Sequence, residues 1–177
     1  MTAVTEATGE KPETAKVILK LGDDVSTDAI YPGRFLATVL PSETPQYAFA
    51  DYPEFNVRLR KNEIFPGSVV VAGSNFGCGS SREQAASTIK GHGLVLVARG
   101  FARIFLQNAI NLGLPTVTCP DIEADEGDEI AIYEDCVVNI TSGKRFAVRP
   151  LAASRRAIVK AGGLIPFTRE RLLKKQN

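Results

Sequence analysis

Short apolar runs alternate along the chain with stretches of helical spacing. Residues 17–21 (VILKL, opening after Lys16) read as a strand that ends at Gly22. Residues 22–41 carry an Asp/Ser/Thr cluster and Pro32-Gly33, which predict a long structured loop without a regular element. Residues 42–52 predict a short helix started by Ser42 and Glu43, with Tyr47 and Ala48 on one face. A turn and a buried strand, SVVVA (68–72), come next, and a glycine-rich segment leads from that strand into helical spacing over 82–89. Ala85, Ala86 and Ile89 share a face there, and Gly91 and Gly93 end the helix. LVLVA (94–98) is a second buried strand. Phe101, Ile104, Phe105 and Leu112 recur at helical spacing as core positions, up to a stop at Gly113-Leu114-Pro115. PTVTC (115–119) is a third strand after that stop. Strand–helix–strand–helix–strand predicts a parallel sheet unit. The pattern then shifts to DEIAIYED, CVVNIT and KRFAVRP, short strands with turn signals at Glu134-Asp135 and Ser142-Gly143. These predict β-hairpins beside the α/β unit. Residues 152–160 predict a last helix broken at Gly162-Gly163, and RERLLKKQN a solvated helix end. Residues 1–14, polar and small, predict a disordered tail without the apolar core of a signal peptide.

Composition narrows the chemistry. The 177 residues, 44% hydrophobic, suffice for one domain with its own core. Lys+Arg is 21 and Asp+Glu is 20, a net charge of +1, and there is no Trp. That balance argues against a nucleic-acid binder, and no apolar run is long enough for a membrane span. The chain reads as cytoplasmic, with free thiols. Cys78, Cys119 and Cys136 are widely spaced and lack a CxxC pair, so neither a zinc site nor a cluster ligand set is expected within the chain. His92 is the only histidine, which nearly excludes mechanisms needing several.

The informative stretch is residues 73–83. Glycines 73, 77 and 79 carry the chain from a strand into a helix start, where unpaired N–H groups favour an anion. It matches neither GxxxxGK[ST] nor a dinucleotide fingerprint. Ser80-Ser81-Arg82-Glu83 also fits a capping box, with Ser80 as N-cap and Glu83 bonding back, worth about 1 kcal/mol and no chemistry. Against that reading, Arg82 opposes the helix dipole in the first turn, while its fork suits a carboxylate.

NFGCGSSRE (75–83) resembles the serine loop of the aconitase superfamily's swivelling domain. GDDVSTDAIYPGRFL (22–36) is similar to that family's D-x-D-T-D-x-I-x-P segment, with Ser26 where Asp is usual, and ARGFARIFLQNAINLGLP (98–115) to its F-A-R-I-F-x-x-N-A-x-N-x-G-L-P. Three motifs in one order across residues 16–177, in a short free-standing chain, match the small subunits of 3-isopropylmalate dehydratase and their homoaconitase relatives. The resemblance implies an α/β fold: a swivelling β/β/α domain over 15–177 like the C-terminal domain of aconitase, with a parallel sheet unit, helices and flanking β-hairpins. It implies dehydration and rehydration of a 2-hydroxy dicarboxylate, with a [4Fe-4S] cluster in a large partner subunit and no cofactor or metal in this chain. Carried over, Ser80 is the base, Ser81 orients the loop or donates a hydrogen bond, and Arg82 binds a substrate carboxylate. The resemblance also implies that the loop after the I-x-P motif governs substrate choice. That loop holds Ala37 where homoaconitases place an arginine, which favours an alkyl substituent over a third carboxylate. Citramalate and 2,3-dimethylmalate stay open as substrates. Arg34 is either a substrate contact or a surface or interface residue.

Other residues have plainer readings. Asp23, Asp24 and Asp28 suggest a metal site but more often cap turns. Cys78 lacks a nearby base for thiol catalysis. His92 is expected in a solvent-facing C-cap turn. An alternative of another class is a non-catalytic anion-binding module, against which the joint presence of Ser80 and Arg82 speaks.

Overall fold

The structure, a computed structural model, describes residues 13–175. One curled sheet runs through the molecule: β1 (Glu13–Lys20), β2 (Val69–Ala72), β3 (Val95–Ala98), β4 (Thr116–Thr118), β5 (Glu129–Ile132), β6 (Cys136–Asn139) and β7 (Lys144–Ala147). Its seven strands lie in the order β4-β3-β2-β1-β5-β6-β7. The first four pair in parallel. From β1 onward the pairing is antiparallel, with Glu13 opposite Ile132 and Lys16 opposite Glu129. The predicted hairpins are therefore not a separate flank but continue the sheet. The chain beyond β7 returns to the far edge, where the Arg149 N–H donates to Thr118 O at 2.8 Å.

The parallel strands are apolar on both faces because both faces are covered. Ile18, Val70, Ala72, Leu96 and Ala98 join the core under the helices. Val17, Val69, Val71, Val95 and Val97 face a second core with Ile122, Ile130 and Val137 on the hairpin side. The helices are α1 (Thr27–Ile30), α2 (Pro53–Arg60), α3 (Glu83–Gly91), α4 (Arg103–Leu112), α5 (Ala153–Lys160) and α6 (Leu164–Lys175).

Several expectations are corrected. Residues 22–41 are not all loop: α1 forms there, capped by Ser26, whose Oγ accepts from Ala29 N at 3.1 Å, and a 3-10 turn spans Gly33–Phe35. The helix expected over 42–52 is a 3-10 turn at Thr44–Tyr47; the α-helix follows at α2, with Pro53 at its first position and Phe55 and Leu59 buried one turn apart. Strand β1 starts at Glu13, so Glu13 and Thr14 belong to the sheet, and the rest of the expected tail lies outside the described residues. Phe105 is buried, but Ile104 is 44% exposed, because α4 starts at Arg103 and turns Ile104 outward. His92 does cap α3, yet its ring turns inward, with Nε2 2.8 Å from Pro45 O.

Candidate active site

The loops following β1, β2 and β3 meet at the carboxyl ends of the parallel strands, where open α/β sheets place their ligands. They are stitched by backbone bonds. Gly77 N and Cys78 N donate to Val25 O at 2.7 and 3.2 Å, and Thr27 N donates to Cys78 O at 2.8 Å. Phe76 N donates to Gly100 O at 2.9 Å, which ties in the third loop. Two acidic residues suspected of metal binding serve as turn anchors: Asp23 Oδ1 accepts from Ser74 N at 2.6 Å, and Asp24 Oδ1 accepts from Asn75 Nδ2 at 2.8 Å. Gly77 adopts φ +79°, and a Cβ there would lie 2.2 Å from Phe105 Cγ. Only glycine lets the turn press against α4 in this way.

The turn delivers Ser80 and Ser81 to the surface and Arg82 beneath them. The capping box does not form. Arg82, not Ser80, is the N-cap of α3, at φ −81° and ψ 108°, and no side chain caps the helix. Glu83 is the first helical residue, so it cannot reach back as a box partner. Ser80 instead meets Thr27, whose Oγ1 donates to Ser80 O at 3.2 Å and lies 3.5 Å from Ser80 Oγ. The Ser80 hydroxyl is thus left to the solvent side of an uncapped helix start, whose N–H groups carry partial positive charge.

Arg82 is only 15% exposed. Its Nη1 forms an ion pair with Asp28 and donates to Tyr31 O at 3.4 Å. Asp28 also accepts from Gly33 N at 3.2 Å. The Arg82 hydrogen bond is the main reason the Asp28 carboxyl lies below the usual carboxylate range. Both anchoring bonds fall on one guanidinium nitrogen, so the rest of the fork remains for a planar anion. Arg34 is engaged elsewhere: its Nη2 and Nη1 grip Asp51 at 2.6 and 3.2 Å, and its guanidinium stacks over Phe35. Ala37 is exposed just past the 3-10 turn, followed by exposed Val39 and Leu40. That turn starts against Arg82, since a Cβ on Gly33 would lie 3.5 Å from Arg82 Nη2. The structure therefore joins the Ser80–Arg82 turn to the turn that leads to Ala37, while Arg34 is paired away.

Sequence reasoning missed Thr27, Tyr31 and Asp51 as partners. Thr27 sits inside a recognised motif, which was a usable signal. The Asp28–Arg82 and Arg34–Asp51 pairs had none, being made by the fold alone.

The three thiols do not form a ligand set. Cys78 Sγ donates to Asp24 O at 3.3 Å, whereas Cys119 and Cys136 are buried in the hairpin-side layer. Burial pushes the Cys119 thiol up to about 11, far from the thiolate that binds iron. An iron–sulfur cluster does not fit these residues.

Residues 42–121 match the family described as the Aconitase C-terminal domain. A 3-isopropylmalate dehydratase small subunit of Methanosarcina acetivorans is 44% identical over 156 residues, 85% of this chain and 93% of that one. The subunit of that name from Thermodesulfovibrio yellowstonii is 39% identical over 160 residues, 88% of this chain and 93% of that one. This chain belongs to the family of 3-isopropylmalate dehydratase small subunits. The fold agrees: the crystal structure of a 3-isopropylmalate dehydratase from Methanocaldococcus jannaschii superposes with a TM-score of 0.84 at 37% identity, covering 93% of this chain and 98% of that one. Motifs 75–83 and 98–115 fall within the matched domain, and 22–36 lies ahead of it.

Proposed function

We propose that this chain is the small subunit of a cytoplasmic 3-isopropylmalate dehydratase. It interconverts 2- and 3-isopropylmalate in leucine biosynthesis, together with a large subunit that carries a [4Fe-4S] cluster. The observation that supports this best is the Ser80–Arg82 turn: an exposed serine hydroxyl not spent on capping, beside a largely buried arginine already held in place. The partner's cluster supplies the Lewis acid for the departing hydroxide. This chain's part is the proton. Ser80, as alkoxide, takes the proton from the carbon beside a carboxylate; the C–H electron pair becomes the double bond as hydroxide leaves. Rehydration on the neighbouring carbon reverses these steps. The uncapped N–H groups of α3 and the charge of Arg82 lower the cost of the alkoxide. Arg82 orients the substrate through its carboxylate, and Ser81 adds a hydroxyl beside the base.

Among substrates of this class, the loop favours an alkyl group. Ala37 offers no charge, and Arg34 is committed to Asp51. A third carboxylate would lose its water with no partner in return, a cost of several kcal/mol, while one methylene changes binding by about 1–3 kcal/mol. The reconstituted complex should therefore hydrate isopropylmaleate with far higher kcat/KM than homoaconitate, and Ala37→Arg should narrow the gap. Equal efficiency on both would overturn the alkyl preference. Absence of all maleate hydration, with a loaded large subunit bound, would overturn the function.

A further inference from the structure

Tyr31 occupies a position that no motif singles out, between the alkyl-facing loop and the arginine. Its side chain is fully buried. Its hydroxyl faces two loop carbonyls, Phe35 O at 3.1 Å and Thr38 O at 3.3 Å, which bracket Ala37 on either side. Its own carbonyl accepts from Arg82 Nη1. The ring meets Phe35 and Tyr47 edge-on, at centroid distances of 6.5 and 6.2 Å, while Phe35 and Tyr47 stack at 4.2 Å. One buried residue thus touches the carboxylate-binding guanidinium through its backbone and the substituent loop through its side chain.

We infer that Tyr31 is a positioning residue that sets substrate specificity by fixing the Phe35–Thr38 segment relative to Arg82. This rests on the function proposed above. A segment exposed at Leu36 and Ala37 has little packing of its own, so its place depends on what holds its backbone. With that backbone fixed, the space beside Ala37 has one size, and alkyl groups are sorted by fit. With it loose, the loop adjusts to each. The carbonyl hold on Arg82 is backbone and survives any side-chain change, so specificity and carboxylate binding separate.

The test is Tyr31→Phe, which keeps ring and volume and deletes the hydroxyl. Two measurements are made: amide hydrogen exchange on the free chain, and kcat/KM of the reconstituted complex for citraconate and isopropylmaleate. The reporter amides are Leu36 and Thr38, bonded to Gly33 O and Phe35 O at 3.2 and 2.9 Å. Their protection should fall about three- to tenfold, the scale of one hydrogen bond, with strand amides of β2 and β3 unchanged. The ratio of the two kcat/KM values should move toward one by about threefold or more. The kcat on the better substrate should stay within about twofold of wild type. Unchanged protection overturns the proposal, as does loosened protection with an unchanged ratio. An equal fall of kcat on both substrates marks Tyr31 as merely structural and also overturns it. If the wild-type complex hydrates neither maleate, the functional reading fails by itself, and the exchange result alone decides whether Tyr31 holds the loop.

Discussion

The Arg82–Asp28 pair shows how one carboxylate fixes a guanidinium that, under the proposed function, a substrate must still reach. Asp28 is 62% exposed, and its bonds to Arg82 and Gly33 hold its carboxyl below the ordinary value of 3.8. A depressed carboxyl contributes its stability above the unfolded pKa and loses it as pH falls through the folded one. Asp28→Asn should thus cost under about 1 kcal/mol at pH 7, given solvent screening, and the difference from wild type should fade below pH 4. Urea melts of both proteins at pH 7 and pH 3 check this; a gap that grows toward acid would contradict it. At this scale the sequence singled out the Ser80–Arg82 stretch but not its local geometry. S-x-x-E spacing fits a capping box, yet the bond from Arg82 N to Ser80 O, at 2.8 Å, delays the helix by two residues.

Elements with two covered faces were the most legible. The runs SVVVA and LVLVA are strands because both faces are buried, and the turn signals at Glu134-Asp135 and Ser142-Gly143 do join the antiparallel strands. Helix α2 escaped notice because only Phe55, Asn56 and Leu59 of its eight residues are buried, too short a stripe to stand out. Ile104 was misplaced because the start of α4 sets its phase, and no capping side chain marks that start. The turn before α3 depends on glycine most at Gly77. Gly77→Ala adds strain at φ +79° and a clash with the Phe105 ring. It should destabilise the chain by about 2–4 kcal/mol, read as a lowered urea midpoint with unchanged slope. A neutral effect would mean that Phe105 and α4 give way easily, and that the turn is not pinned there.

Across the whole molecule, the curl of the sheet divides labour. Hairpins β5–β7 cover one face and bury Cys119, leaving the carboxyl ends of β1, β2 and β3 to the site. The alternation of strands and helices foretold the parallel half. That the hairpins extend the same sheet through β1 and β5 was not legible, since pairing between residues more than a hundred positions apart leaves no local pattern. The central claim is that Ser80 does chemistry and not capping. The most direct measurement is Ser80→Ala, with hydration of isopropylmaleate by the reconstituted complex and urea stability of the free chain read side by side. Because the exposed serine caps no helix, stability should stay within about 0.5 kcal/mol of wild type while kcat falls by two orders of magnitude or more, roughly the loss of a general base. Near-normal turnover, or a drop in stability of the size of a lost cap, would contradict the account.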